Sequence, residues 1–466
     1  MIGLIREGLY RLRGRQRYAK LRELLATQYL PEEELRRRQL LKLRSVLHHA
    51  WSTVPWYRRH FDELGITPDD IRSFADFASL PLLTRQDLEQ HTSELLSDAI
   101  PESERFKNAS GGTTGEPVRF FQDKGVLEAM DADWLFCCSF AGWQPSDMII
   151  NIWGNPRDCT TTEIPGGVKP WLAGTLSLNA YRYGKNELAA WLKVIKRYRR
   201  VFLYGYTTVL ADLAEHVLEC RAKGTLGDLR NVGGVLTTAE KLHPSQRKAI
   251  EDAFGCRAHD QYGSREVPGV GIECECGNMH LLTHAAYAEF VPLAAEELEA
   301  ITFGVQDGPE GENGGDRLPR RIVLTGFSNR AMPVIRYAIG DYGAPKEGPC
   351  ACGRGFPLMR MDIGRIGDTL LAPDGRRLYG SYFIRHVSGV KGVGAFQFRQ
   401  TALEAIQLFV IPGSGFSDET RHTLEELQRS FPEKVCPGSQ LHLHYVEDLP
   451  RTPAGKHRQV ICEVQS

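Results

Sequence analysis

The chain has 466 residues, 42% of them hydrophobic and 25% charged, the composition of a globular protein of two to four domains with a sizeable core. Its formal net charge of −1 excludes a global field that would recruit nucleic acid. It contains no apolar run of the roughly 18 residues a transmembrane helix needs, and its eleven cysteines are too few and too clustered for a secreted disulfide scaffold.

Residues 1–60 read as helical, with Leu and Tyr at helical spacing and a helix start at Pro31-Glu32-Glu33-Glu34. They are basic, with 14 Lys/Arg against 5 Asp/Glu, a local balance of +9. We read this excess, including the run Arg36-Arg37-Arg38, as the solvated face of helices rather than as a membrane contact. Charges interrupt every apolar position of MIGLIREGLYRLRGRQ, so no secretion signal is expected and the expected compartment is the cytoplasm. Short helices and turns follow from Trp51 to Phe74, leading to Leu80-Pro81-Leu82-Leu83-Thr84.

The stretch Ser110-Gly111-Gly112-Thr113-Thr114-Gly115-Glu116-Pro117-Val118 lies between Phe106 and Phe120-Phe121. Its glycines can turn backbone N–H groups inward while Ser and Thr add hydroxyl donors, so the loop can wrap a polyphosphate. No Lys-Ser/Thr pair closes it, which separates it from a P-loop. Beyond it the spacing predicts a helix over Lys124–Ala141, a strand at Met148–Ile152 and a helix over Asn186–Tyr198. A strand at Arg200–Tyr204 with a turn at Gly205 comes next, then a helix over Thr207–Lys223 and a strand at Asn231–Leu236. A helix over Ala239–Phe254 and a strand at Cys256–Tyr262 complete the series. This alternation implies βαβ units and a largely parallel sheet, with ligands gathered at the strands' carboxyl ends.

Tyr262-Gly263-Ser264-Arg265-Glu266 should therefore sit at a strand end. Asp307–Arg317 is a polar, Gly-rich turn region, followed by a strand at Arg321–Thr325 and by Pro333-Val334-Ile335-Arg336-Tyr337-Ala338-Ile339-Gly340-Asp341. A second unit begins near Gly367, with strands at Phe396–Gln400, Ala405–Val410 and Gln440–Val446, a helix over Ser417–Ser430, and a loop, Thr452-Pro453-Ala454-Gly455-Lys456, that presents one long cation. Cys274-Glu275-Cys276-Gly277 and Cys350-Ala351-Cys352-Gly353 form two C-x-C-G knuckles, with His280 close behind the first. Soft ligands from two knuckles argue for tetrahedral structural Zn²⁺.

Five segments in order, SGGTTGEPV, YGSRE, PVIRYAIGDYG, GRIGDTL and RTPAGKHR, resemble the adenylate-forming (acyl-adenylate ligase) superfamily, and within it the phenylacetate–CoA ligase and CapK-type group. The resemblance runs from about Leu40 to the C-terminus. It implies an α/β fold: a large N-terminal domain with mixed or parallel sheets and a small C-terminal α+β lid. The expected boundaries are a helical region 1–90 within the large domain, an ATP- and acid-binding part 91–366 with the knuckles, and a lid 367–466.

By the same resemblance, Ser110, Gly111, Gly112, Thr113, Thr114 and Gly115 hold phosphates, Tyr262 stacks near adenine, Glu266 helps hold Mg²⁺, and Asp341 binds ribose. Arg365 joins the nucleotide site, Asp368 is the hinge, and Lys456 bridges the acyl carboxylate and α-phosphate. The zinc ligands implied are Cys274, His280, Cys350 and Cys352, with a Cys₄ set containing Cys276 as the alternative. The implied reaction turns a carboxylic acid and ATP into acyl-AMP and pyrophosphate, then transfers the acyl group, most often to CoA. An amine acceptor with amide or N–N bond formation, a CapK-type role in polysaccharide synthesis, and a degenerate zinc-stabilised scaffold are the alternatives. Two departures stand out: Val118-Arg119 replaces the lysine often found after the loop's proline, and Ile339 replaces a threonine before Gly340-Asp341. Trp134, Phe136, Phe140, Trp143, Trp153, Tyr204 and Tyr206 are candidates to line the acid pocket, or equally to fill the core.

Overall fold

A computed structural model describes residues 2–109, 118–153, 167–180, 183–227, 229–295, 298, 318–363, 369–373, 377–379, 383–384, 386–387, 390–413, 415–450 and 458–464. Among the described residues six α-helices open the chain: α1 (Ile2–Leu12), α2 (Arg17–Thr27), α3 (Glu32–Thr53), α4 (Pro55–Leu64), α5 (Phe74–Phe77) and α6 (Arg85–Gln90). Glu32, Glu33 and Glu34 complement the dipole at the start of α3. Along that helix Leu35, Gln39, Leu43, Val46, Leu47 and Ala50 recur on one buried face. Pro55 can open α4 because its missing N–H falls in the first turn, and Gly65 closes it at φ 65°.

The hairpin β1 (Phe106–Ala109) and β2 (Arg119–Gln122) leads to α7 (Lys124–Phe140), capped by Asp123. Then come β3 (Met148–Trp153), α8 (Val168–Ala173), β4 (Thr175–Asn179), α9 (Lys185–Lys196), β5 (Val201–Tyr206), α10 (Thr207–Ala222), β6 (Val232–Thr238), α11 (Pro244–Phe254) and β7 (Ala258–Tyr262). The strands β8 (Gly271–Glu273), β9 (Met279–Leu281), β10 (Ala286–Val291), β11 (Arg320–Gly326), β12 (Tyr337–Lys346) and β13 (Leu358–Ile363) follow. Together β3–β13 form one sheet in the order β10-β11-β12-β13-β9-β8-β7-β6-β5-β3-β4.

That sheet is mixed, within the expected fold class, and its parallel part is the βα series read from Met148 to Tyr262. Strands β4-β3-β5-β6-β7 pair in parallel, and every pairing from β7 through β8 to β10 is antiparallel. Two local readings change. Gly205 continues β5 instead of turning, because a Cβ there would lie 2.5 Å from the Ile152 carbonyl; the glycine serves a close approach between strands. The helix expected from Ala239 starts only at Pro244, since Ala239 sits at φ 70° and proline fixes the first helical turn. The 307–317 turn region lies outside the described residues.

One apolar cluster joins α3, α4 and Phe77 to β10–β12, including Leu47, Phe61, Ile322, Leu324 and Tyr337. A second fills the space between α9–α11 and the parallel strands. A third lies between α7 and the opposite sheet face and reaches Cys274 and Cys350. A separate four-stranded sheet follows a small ribbon of β14 (Thr369–Leu371) and β15 (Arg377–Tyr379). Its strands are β16 (Val393–Ala402), β17 (Ala405–Pro412), β18 (Gln440–Tyr445) and β19 (Val460–Cys462), in the order β18-β17-β16-β19, with α12 (Asp418–Lys434) packed on it and its own core. Gln400, fully buried, clamps the ribbon by bonding both the N–H and the carbonyl of Leu371 at 2.7 and 2.6 Å. Among the described residues no helix is long and apolar enough to cross a membrane.

Arg336 locks the N-terminal region to this frame. It holds a positive φ of 50°, uncommon outside glycine. Its N–H bonds Thr325, its guanidinium pairs with Glu289 at 3.0–3.1 Å, and it donates to the Ala78 and Leu80 carbonyls. Both side chains of the pair are over nine-tenths buried. Glu289→Ala should therefore strand the guanidinium and destabilise the fold by about 3–5 kcal/mol, read as a large fall in Tm; an unchanged Tm would show the pair to be dispensable.

Candidate functional site

The hairpin β1–β2 pairs Ala109 with Arg119, so the glycine- and threonine-rich stretch is the connection between its strands. Residues 110–117 themselves lie outside the described residues, with Ser110, Gly111, Gly112, Thr113, Thr114 and Gly115, and so do Arg365, Asp368 and Lys456. Arg119 is exposed at the far end of that connection. Side chains tie the hairpin to the segment after β7. Asn108 donates to Gln122 at 2.8 Å, Gln122 donates to the Arg265 carbonyl at 2.9 Å, and Arg265 returns a bond to Asn108 at 3.2 Å. Asn108, Gln122 and Arg265 were not singled out as binding residues, and only their flanking positions hinted at this role.

Tyr262 ends β7, as the parallel half of the sheet requires. A tight turn follows, in which Ser264 N–H bonds the Val267 carbonyl and Val267 N–H bonds the Ser264 hydroxyl, at 3.1 and 3.0 Å. Glu266, inside this turn, is buried. The Tyr262 hydroxyl donates to Asp341 Oδ2 at 2.9 Å. Between β7 and β12 stand β8, β9 and β13, so in a flat sheet these strands would be roughly 19 Å apart. The hydrogen bond therefore requires the antiparallel half to curl back toward β7. Gly340, at φ 85°, lies in β12 beside Asp341, where the pairing with β11 shifts register. The sequence places Tyr262 at a strand end, as found, whereas Asp341 lies inside β12 (Tyr337–Lys346); the curl makes them neighbours.

The two knuckles meet at the turn between β8 and β9. Cys274 follows β8, His280 lies on β9, and Cys350 and Cys352 lie between β12 and β13; their ligand atoms all fall within 4.8 Å of one another. Cys276 is exposed outside the group, so the Cys₃His set is the one assembled. Cys274 and Cys350 Sγ are 3.5 Å apart, far beyond the roughly 2.05 Å of a disulfide. Two thiolates on a tetrahedral ion with bonds of about 2.3 Å stand about 3.8 Å apart, so the spacing suits a shared metal.

The electrostatics agree. Burial pushes His280 down to about 4, leaving a neutral imidazole whose Nε2 lies 3.3 Å from Cys352 Sγ, while Nδ1 faces the Phe356 carbonyl at 3.3 Å. Burial opposes ionisation of Cys350, but donors from the Cys352 backbone and Asn278 outweigh it and lower the thiol to about 7. Burial pushes Cys274 up to about 12, so its thiolate would form only with a cation beside it. Arg354 braces the group from outside, bonding Gln28 at the end of α2 and Glu275 while covering the Phe140 ring at 4.1 Å. Neither Arg354 nor Asn278 was legible as a neighbour of the knuckles.

Of the acid-pocket candidates, Phe136, Phe140, Trp143 and Tyr206 belong to the core. Trp134, Trp153 and Tyr204 form a half-buried group, Tyr204 meeting the other two rings at 5.5 and 5.9 Å. A cavity of about 690 Å³ opens elsewhere, between α3 and β10–β13, and its lining includes none of Tyr262, Glu266 and Asp341. For the metal group, Cys350→Ser and His280→Ala should each abolish bound metal in elemental analysis of the purified protein, whereas Cys276→Ser should retain it. Loss in the Cys276 variant would move the ligand set.

Residues 370–463 match the CapK C-terminal domain family. Phenylacetate-coenzyme A ligase of Thermus thermophilus is 27% identical over 73% of this chain and 73% of its own length. Protein CapK of Staphylococcus aureus is 21% identical over 84% of this chain and 81% of its own. Among solved structures, 2-hydroxyisobutyryl-CoA ligase in the postadenylation state, in complex with R3-HIB-AMP, superposes with a TM-score of 0.68 at 19% identity, covering 94% of this chain and 91% of that one. With the mixed sheet, the separate small sheet and the ordered motifs, these likenesses place the chain in the adenylate-forming ligase superfamily, as a homologue of phenylacetate-CoA ligase and CapK with a CapK C-terminal domain.

Proposed function

We propose that the protein activates a carboxylic acid as acyl-AMP, with release of pyrophosphate, and passes the acyl group to the thiol of CoA. The observation that carries this reading is the Tyr262–Asp341 hydrogen bond beside a hairpin tied to Arg265, which gathers three of the motif segments around one point. Asp341 accepts the ribose hydroxyl hydrogens, as a carboxylate does better than an amide, and Tyr262 flanks the adenine. Glu266 holds Mg²⁺ together with phosphate oxygens, a ligand set that suits this ion. Ser110 to Gly115 with Thr113 and Thr114 hold the phosphates, and Arg365 completes the nucleotide contacts.

Lys456 supplies positive charge where the carboxylate and α-phosphate become more negative in the transition state. The roles of the loop, Arg365 and Lys456 rest on the motif resemblance. We divide the chain into a helical region 1–90 within the large domain, the remainder of that domain to 366, and a lid from 367 that turns about Asp368 between half-reactions. The metal held by Cys274, His280, Cys350 and Cys352 is Zn²⁺; four protein ligands leave it no open position, so it stabilises and does not react. The protein works in the cytoplasm. A second reading keeps the adenylation and changes the acceptor to an amine or to a polysaccharide-pathway substrate; the CapK match over 370–463 favours testing it.

Pyrophosphate exchange across a panel of carboxylic acids, followed by AMP release with and without CoA, tests the reaction and then the acceptor. Exchange with no acid would overturn the ligase reading, and exchange without CoA-dependent turnover would select the second. Asp341→Ala should weaken ATP binding by roughly one to two decades, the worth of a charge-assisted hydrogen bond. Lys456→Ala should slow exchange about 10²–10³-fold, mainly in kcat, while transfer from supplied acyl-adenylate stays near the parent rate; equal loss in both half-reactions would make the lysine structural.

A further inference from the structure

Helix α1 is amphipathic, but it is mounted with its apolar face outward. Leu4 is 74% exposed, Ile5 44% and Leu12 86%, and these residues share one side of the helix with Gly8. The opposite side carries Arg6, only 2% exposed. Its guanidinium donates to the carbonyls of Trp171 at 2.9 and 3.1 Å, Pro145 at 3.1 Å and Asp147 at 2.7 Å. Gly3 admits this close approach, since a Cβ there would meet Pro145 at 2.9 Å. The orientation is therefore fixed by satisfied polar contacts, and rolling the helix to hide its leucines would strand a buried charge.

The neighbouring helix α8 extends the same surface. Val168 is 66% exposed and Trp171 44%, and the Trp171 carbonyl is the one Arg6 holds. Around this apolar patch the charge is one-sided. From Ile2 to Arg22 the chain carries seven Lys/Arg and one Glu. Glu7 is taken by Arg22, Asp131 by Arg15 and Glu128 by Lys20. Arg11, Arg13 and Lys169 are exposed and have no ion pair among the described residues. A stable protein interface uses about 20–30 residues a side with charge depleted at its centre. A few protruding aliphatic side chains, one tryptophan and a basic rim instead match the interfacial helices that lie in an anionic bilayer surface.

We propose that α1 and α8 dock the protein on an anionic membrane surface, with Leu4, Ile5, Leu12, Val168 and Trp171 entering the headgroup layer and Arg11, Arg13 and Lys169 meeting lipid phosphates. This replaces the reading of the basic N-terminal region as a merely solvated face. Periodicity gives the two faces of α1; only the Arg6 contacts tell which one points out. The inference is independent of the acid, the acceptor and the metal.

Flotation of the purified full chain with vesicles of phosphatidylcholine, with and without phosphatidylglycerol, tests it. The protein should float with the anionic vesicles, and salt should weaken the association. Leu4→Ser/Leu12→Ser and Trp171→Ser should each reduce partitioning by about tenfold or more, and Arg11→Glu/Arg13→Glu similarly, all with an unchanged Tm. Leu403→Ser, at an exposed leucine of the small sheet, should leave partitioning as it is. Failure to float, equal binding to both vesicle types, or full binding by Leu4→Ser/Leu12→Ser would overturn the proposal. A concentration-dependent dimer that the same serines dissolve would assign the face to a second copy, and would overturn it too.

Discussion

The closure of the antiparallel half of the sheet is the constraint on which the candidate site rests. Strand order alone leaves Tyr262 and Asp341 four strand steps apart, yet they share a hydrogen bond. Something must hold the intervening strands in a tight curl, and the Cys274–His280–Cys350–Cys352 group is placed to do so. It joins the end of β8 and the body of β9 to the connection that enters β13, at the pairing of His280 with Leu358. A metal bound there would add a handful of strong, directional bonds that fix curvature as well as proximity.

A second restraint acts at the other side of the barrel-like half. Arg336 ties β12 to the segment after α5 and to β10 through Glu289, and Leu83 pairs with Tyr337. The Asp341 carboxylate thus lies on a strand held near both ends, by the metal-competent group beyond Lys346 and by the buried ion pair before Tyr337. The hairpin that carries the glycine-rich connection is fastened instead by single hydrogen bonds among Asn108, Gln122 and Arg265, weaker and more readily remade. The contrast separates a strand pinned by a buried ion pair from a hairpin held by exchangeable hydrogen bonds.

Much of this was legible from residue pattern, and the exceptions share a cause. The βα alternation from Met148 to Tyr262 could be read because each apolar run is bounded by its own turn residues, and the knuckles because cysteine spacing is a local property. What failed depended on a partner distant in sequence. Gly205 looked like a turn until the Ile152 carbonyl was seen beside it. Asn108, Asn278 and Arg354 are ordinary polar residues whose roles come only from what they touch. The Ala239 reading failed differently: good helix formers preceded a proline that sets the start itself.

The separation of the metal ligands along the chain has a consequence for how the protein is made. Cys274 and Cys350 are 76 residues apart, and β9 cannot find β13 before both exist. During synthesis the parallel half, whose contacts are comparatively local, is complete before the curl can begin, so the nascent chain passes through a stage with a formed sheet and an unpaired edge. Non-local pairing of this kind is slow and exposes strands to wrong partners. Two cysteines and a histidine would already be waiting at that edge, and an ion captured there early would hold the first knuckle in shape until the second arrived.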